Sequence, residues 1–255
     1  MKNKSVLITG AASGIGFNIA QQLANLGANV IITDVSEEAV QKAQQAFAAQ
    51  GIAVKAFKLD VTSDTDIEQL MTSLNGTPID VLVNNAGIQH VSRLEEFPMN
   101  VWQKIVDVLL TGPARTCKAV LPRMREQGFG RIINIGSIHG LVASPYKSAY
   151  VAAKHGLIGF SKVIALETSD CDITINTICP AYVKTPLVEK QIADQAKEHG
   201  ISEDEVIEKI MLAPMPKKSF IDMEEIAATV QFLASNEAKN MTGQALVLDG
   251  GWTVK

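Results

Sequence analysis

The sequence predicts an α/β fold, a doubly wound parallel sheet of about seven strands in a single domain. Short runs rich in Val and Ile recur along the 255 residues, and helical stretches separate them. The runs lack strict two-residue alternation, so each strand is expected to be buried on both faces, as in a parallel sheet. With 47% hydrophobic and 20% charged residues, one chain of this length can close one large core. It contains no internal repeat, low-complexity tract or Pro/Gly/Ser-rich linker. Strands that alternate with helices are built from βαβ units, which fixes the class.

The elements follow in order. A strand at 5–9 runs into a glycine-rich turn and a helix at 14–26. A strand at 29–33 precedes Asp34 and a helix at 36–50. A strand at 53–58 leads to Asp60-Val61 and a helix at 63–75. The strand at 81–84 ends in Asn84-Asn85-Ala86-Gly87 and is followed by a long helix at 98–127. Ser137 follows the strand at 131–135, and a helix is expected at 149–169. After the strand at 174–178 the rhythm breaks. Segment 185–220 is long and charged and carries Pro186, Pro214 and Pro216. A substrate lid over the strand ends is the preferred reading, and an inert surface insertion is the other. A helix at 222–235 and a strand at 245–248 complete one domain, 1–255.

The formal net charge of −4, with no Lys/Arg block, argues against nucleic acid as the main partner. Cys117, Cys171 and Cys179 show neither CxxC spacing nor an even count. They read as reduced thiols of a cytoplasmic protein, and no metal is expected. The opening Met1-Lys2-Asn3-Lys4 and the apolar residues after it are too short for a signal peptide. No run approaches the ~20 apolar residues of a membrane span.

The first strand ends in Thr9-Gly10-Ala11-Ala12-Ser13-Gly14-Ile15-Gly16. Such a turn between strand and helix lets backbone N–H groups approach a pyrophosphate at the helix N-terminus. The spacing is TGxxxGxG rather than GxGxxG, and the strand–turn–helix context gives it meaning. Asp34 lies eighteen residues beyond Gly16. A carboxylate there can accept hydrogen bonds from the adenosine ribose and repel a 2′-phosphate, which favours NAD over NADP. The alternative is an aspartate that merely starts the next helix. Asp60-Val61 and the Asn84–Gly87 stretch suit either ordinary turns or the same cofactor crevice.

Tyr150 and Lys154 sit at i and i+4 on one helical face. A phenol with a pKa of about 10 is a poor base at neutral pH, and a neighbouring ammonium and a bound nicotinamide cation would lower it. Ser137, thirteen residues upstream of Tyr150, could orient a substrate oxygen toward it.

These pieces together resemble the short-chain dehydrogenase/reductase family over essentially the whole chain. The matching residues are the Thr9–Gly16 turn, Asp60, Asn84–Gly87, Ser137, Tyr150 with Lys154, and Pro180 with Thr185. The resemblance implies a Rossmann-like fold, a homotetramer, Tyr150 as general acid/base, Lys154 on the nicotinamide ribose and Ser137 on the substrate. Thr9, Gly10, Ser13, Gly14, Ile15, Gly16, Asp34, Asp60, Val61, Asn85 and Val183 would hold NAD with Tyr150 and Lys154. Two positions depart from the pattern. Leu109 stands where the family usually has an asparagine that helps hold a proton-relay water, so the relay is expected to use backbone carbonyls or to run slowly. Ala181 replaces the glycine usual after Pro180.

Gln89, His139, Lys147 and Gln191 are surplus to the common machinery. Two amides, an imidazole and an ammonium in one cleft suit a small carboxylate, whereas singly each reads as a solvated surface residue. The stretches Asn85–Val91, Ser137–Ser144, Lys147–Tyr150, Thr185–Ile192 and Asp249–Thr253 resemble the branch of the family that oxidises (R)-3-hydroxybutyrate to acetoacetate. That resemblance implies that Gln89, His139, Lys147 and Gln191 bind the carboxylate. It also implies that Tyr182, where tryptophan is common, walls the pocket with Trp252, from this chain or a neighbouring subunit. A packing anchor for the terminal strand is the other reading of Trp252. The rival functions are a dehydrogenase for another small hydroxy acid or a polyol, and a non-catalytic NAD-binding sensor.

Overall fold

All seven expected strands form: β1 (Ser5–Ile8), β2 (Asn29–Asp34), β3 (Lys55–Lys58), β4 (Val81–Asn84), β5 (Phe129–Ile135), β6 (Asp172–Pro180) and β7 (Ala245–Leu248). The computed structural model describes residues 1–254, apart from the side chains of 186, 187, 190, 194 and 198. The strands pair in parallel in the order β3-β2-β1-β4-β5-β6-β7. Strand order therefore reverses between β1 and β4, and a crevice opens there at the carboxyl ends.

Alternate side chains of one strand feed two cores. Val6 and Ile8 of β1 pack with Ile19, Phe47, Ile226 and Val230, from α1 (Gly14–Asn25), α2 (Glu37–Ala49) and α9 (Met223–Leu233). Leu7 faces the other way. It joins Ile67 of α3 (Asp64–Ser73), Ile105 of α4 (Met99–Val106), Val120 of α5 (Gly112–Gln127) and Ala153 of α6 (Ser148–Glu167). Burial on both faces explains the absence of two-residue alternation in the sequence.

The long helix expected at 98–127 is not continuous. A π-helical turn, Asp107–Thr111, separates α4 from α5, and Gly112 N–H donates to the Asp107 carbonyl five residues back. Pro113 supplies the reason. It has no N–H to offer the Leu109 carbonyl, and its ring would crowd that carbonyl in a regular α-helix.

Segment 185–220 folds into α7 (Pro186–His199) and the short α8 (Glu203–Glu205), which continues as a π-helical turn at Val206–Met211. Ile192, Val206 and Met211 make a small core of their own around Tyr182, with Trp252 packed against it. Among the described residues, no helix is long and apolar enough to cross a membrane.

A buried polar chain ties the catalytic half of the sheet together. Thr116 Oγ1 donates to Asn84 Oδ1 at 2.7 Å, and Asn84 Nδ2 to Asn134 Oδ1 at 2.8 Å. Asn134 Nδ2 donates to Ser161 Oγ at 3.0 Å, and Ser161 Oγ lies 2.9 Å from Thr177 Oγ1. The chain links β4, β5 and β6 to α5 and α6. Asn134→Leu keeps the approximate volume but leaves the buried Asn84 Nδ2 with only the Cys117 sulfur at 3.6 Å, so it should cost about 1–3 kcal/mol. Urea unfolding measures this, and an unchanged midpoint would contradict it.

Candidate active site

The crevice at the strand-order reversal is shaped by backbone contact. Gly10 has φ +62°, and a Cβ on it would sit 2.7 Å from Ala86 Cα. Thr9 Oγ1 accepts from the Asn85 and Ala86 N–H groups at 3.0 and 3.1 Å. Asn85 Nδ2 returns two bonds, to the Thr9 and Gly10 carbonyls at 3.0 and 2.7 Å. A Cβ on Gly16 would meet that same amide at 2.5 Å. The glycine turn and the Asn84–Gly87 stretch are thus one laced unit, with Thr9 and Gly16 behind the wall and Gly10, Ser13, Gly14, Ile15 and Asn85 lining it.

This unit fits a dinucleotide. Helix α1 opens without a side-chain cap from Ser13 and without an acidic residue in its first turn. Its leading N–H groups are left for an anion. Asp34 also lines the crevice. Ser36, not Asp34, caps α2 by accepting from Ala39 N–H, although Asp34 Oδ1 does accept from Ser36 N–H at 3.2 Å. The carboxylate is therefore not consumed as a helix start. Val183 joins the lining, whereas Asp60 and Val61 do not. Asp60 Oδ1 is turned onto the backbone and hydroxyl of Thr62 at 2.9 and 2.7 Å, and Val61 packs against Gly112.

The cleft, about 260 Å³, continues from the crevice to Ser137, Tyr150 and Lys154. Ser137 follows β5, and Tyr150, on α6, lines the cleft with it. Lys154 Nζ donates to the Ile135 carbonyl at 2.6 Å and lies 5.6 Å from the Tyr150 ring centre. Burial pulls the Lys154 pKa down to about 8. The expected lowering of the Tyr150 pKa by Lys154 does not hold in the ligand-free chain. Burial raises the phenol above its ordinary value, and the Ser137 hydrogen bond opposes that only in part.

The substrate end gathers the spare polar groups. Gln89, His139, Lys147 and Gln191 all line the cleft. Lys147 is only 5% exposed and donates to the Tyr182 hydroxyl at 3.1 Å. No carboxylate pairs with it among the described residues, and burial pulls its pKa to about 8. His139 is held on both ring nitrogens, with Nδ1 3.4 Å from Ser137 Oγ and Nε2 2.7 Å from Ser144 Oγ. Burial, assisted by Lys147 and His155, takes its pKa to about 3, so the ring is neutral. Trp252 stacks on Tyr182 at 6.1 Å and meets the His139 ring edge-on at 5.9 Å. It packs behind Tyr182 and His139 from its own chain and is not among the residues that line the cleft. Thr185, Val188 and Gln191, at the start of segment 185–220, line the cleft.

Leu109 lines the cleft at 1% exposure, and Ala181 lies on the nucleotide side. Sequence reasoning missed the Tyr182 hydroxyl on Lys147 and Ser144 on His139. Neither contact has a spacing signature, because residues between the regular elements create both.

The model of a family described as enoyl-(acyl carrier protein) reductase matches residues 10–253. The chain is 43% identical over 256 residues to the D-beta-hydroxybutyrate dehydrogenase of Rhizobium meliloti (strain 1021), covering 99% of each. The chain belongs to the short-chain dehydrogenase/reductase family. It is also 37% identical to the 3-oxoacyl-[acyl-carrier-protein] reductase FabG of Escherichia coli (strain K12), covering 98% of this chain and 97% of that one. Among solved structures, an actinorhodin polyketide ketoreductase variant with NADPH matches at a TM-score of 0.94 and 33% identity, covering 99% of both chains. Its members are NAD(P)-dependent oxidoreductases, and this chain is one.

Two outcomes follow from this geometry. Gly16→Ala drives a methyl into the Asn85 amide and the Gly10 carbonyl, so nucleotide binding, read by NADH fluorescence, should weaken by ~10-fold or more. His139 has a folded pKa below its unfolded value. Its contribution to stability is therefore present above about pH 6.5 and declines as pH falls toward 3. Over that window the wild type should lose up to ~1.4 kcal/mol per pH unit more than His139→Gln. Parallel stability–pH curves would contradict this.

Proposed function

We propose that this chain catalyses the reversible NAD-dependent oxidation of (R)-3-hydroxybutyrate to acetoacetate. The observation that carries the reading is Lys147, a buried ammonium in the substrate cleft with no carboxylate partner among the described residues. A buried charge without a counter-ion is costly, and a ligand carboxylate would supply one. Gln89 and Gln191 line the same cleft, and the 43% identical relative bears a matching name.

In this reading Lys147 fixes the carboxylate, and Ser137 and Tyr150 grip the hydroxyl. Tyr150 takes the hydroxyl proton. Gly10, Ser13, Gly14, Ile15, Asn85, Val183 and Lys154 would hold the nucleotide, and Asp34 would accept from its adenosine ribose. When bound, that cofactor supplies the hydride acceptor and a positive charge near Tyr150. Helix α7 closes over the site and excludes water, which strengthens every charge interaction inside. Reduction of a 3-oxoacyl thioester, as the FabG relative is named for, is the competing reading. It leaves Lys147 without a counter-ion and sets Asp34 against a 2′-phosphate.

NADH formation with the separate enantiomers of 3-hydroxybutyrate tests the reading, and no turnover of the (R) form would refute it. Lys147→Ala should raise KM for the acid by ~10–100-fold, the loss of a charge-assisted hydrogen bond, and barely alter KM for the neutral 3-hydroxy ester. Equal effects on both would remove the carboxylate role. In the wild type, KM for the acid should climb as pH rises through about 8, where the ammonium loses its proton, and KM for the ester should not. Asp34→Ala should shrink the preference for NAD over NADP by ~10-fold or more, seen in the ratio of kcat/KM values.

A further inference from the structure

Each oxidative turnover must deliver one hydroxyl proton from Tyr150 to solvent, and the two walls beside Tyr150 are unequal. On the Lys154 side, Nζ gives one of its three N–H groups to the Ile135 carbonyl, and the buried Leu109 side chain brings no polar atom where the family usually has an asparagine. On the Ser137 side, a row of polar side chains leads away from the cleft. Tyr150 and Ser137 line the cleft together, Ser137 Oγ faces His139 Nδ1 at 3.4 Å, and His139 Nε2 faces Ser144 Oγ at 2.7 Å. Ser144 is partly exposed, between the exposed Ala143 and Pro145. The row leads from the serine beside Tyr150 to a partly exposed hydroxyl.

We infer that His139 and Ser144 form a relay that carries the substrate proton from Ser137 out to solvent. The inference rests on Tyr150 acting as the acid/base in the proposed reaction, and it does not depend on which small alcohol is oxidised. The proton balance closes. Tyr150 takes the substrate hydroxyl proton as its own passes to Ser137 Oγ, and the Ser137 proton passes to Nδ1. The Nε2 proton passes to Ser144 Oγ, and the Ser144 proton leaves to water. One proton enters and one leaves. The two electrons depart with the hydride and do not pass through these residues.

Neutral imidazole suits this task, because one nitrogen accepts while the other donates. Lys147 and His155 set the charge around His139, and the Tyr150, Tyr182 and Trp252 rings enclose it. That setting disfavours the imidazolium, so the transfer is a shift between tautomers rather than storage of a proton on the ring. The Ser137–His139 separation is long for a hydrogen bond, and such contacts tighten when substrate docks. Exchange with water through the open cleft after product release restores the starting tautomer. With both ring nitrogens committed, the carboxylate falls to Lys147, Gln89 and Gln191.

Ser144→Ala tests the relay. It should lower kcat by ~10-fold, a modest share of a general acid–base effect, while KM for the acid and NADH affinity stay within ~2-fold. The solvent deuterium isotope effect on kcat should rise, and Ser144→Thr should restore both values. His139→Ala should lose more, and free imidazole in the buffer should recover part of it. Nitrogen-15 NMR of the ligand-free protein should show a neutral His139 ring whose Nε2 signal moves in Ser144→Ala. Unchanged kcat and isotope effect in Ser144→Ala would overturn the relay. So would a His139→Ala defect confined to KM for the acid and unmoved by imidazole. If another short secondary alcohol is oxidised and (R)-3-hydroxybutyrate is not, the substrate reading alone fails, and the same variants measured on that alcohol still decide the relay.

Discussion

The site depends on the lacing of the β1 and β4 ends. Thr9 offers one hydroxyl to two backbone N–H groups, and Asn85 returns its amide to two carbonyls. Those bonds let Gly10 approach Ala86 to a distance that no side chain tolerates. The approach holds the glycine turn in place, and the turn directs the bare end of α1 into the crevice. A parallel sheet supplies the reversal of strand order, and this contact makes the reversal into a binding surface.

From that edge the cleft becomes progressively drier. Lys154 and Lys147 are both deprived of water, and burial moves both pKa values toward neutrality. Their compensation differs. Lys154 is secured by a backbone carbonyl, whereas Lys147 has a neutral phenol, which answers its hydrogen-bonding need but not its charge. Desolvated groups of this sort cluster where chemistry is done, because the same low polarity that penalises them strengthens their grip on a ligand.

Much of this was legible in the sequence, for identifiable reasons. The strands were readable because burial on both faces leaves unbroken Val/Ile runs, and the Gly10–Gly16 turn because its backbone contacts exclude side chains. Ser137, Tyr150 and Lys154 followed from strand-end and helical spacing. The break at Asp107–Thr111 was missed although Pro113 announces it, since the apolar pattern on either side reads as one helix. Asp60 and Val61 belong to the expected nucleotide set by position along the strand edge, and Asp60 Oδ1 accepts from Thr62 there, a local turn that no spacing announces. The lowering of the Tyr150 pKa was argued from a charge in sequence proximity, and burial outweighs it in the ligand-free chain. Contacts between loops, such as His139 with Ser144, have no periodicity to betray them.

Lys147 has one more consequence. On the proposed reaction, the carboxylate it grips is the part of the molecule that the chemistry leaves unchanged. Substrate and product present the same handle, so this contact contributes to affinity without lowering the barrier between them. Discrimination between alcohol and ketone is left to Ser137 and Tyr150, at the one carbon that differs. The anchor thereby also admits any short carboxylate that fits, and substrate competes with product for the same ammonium.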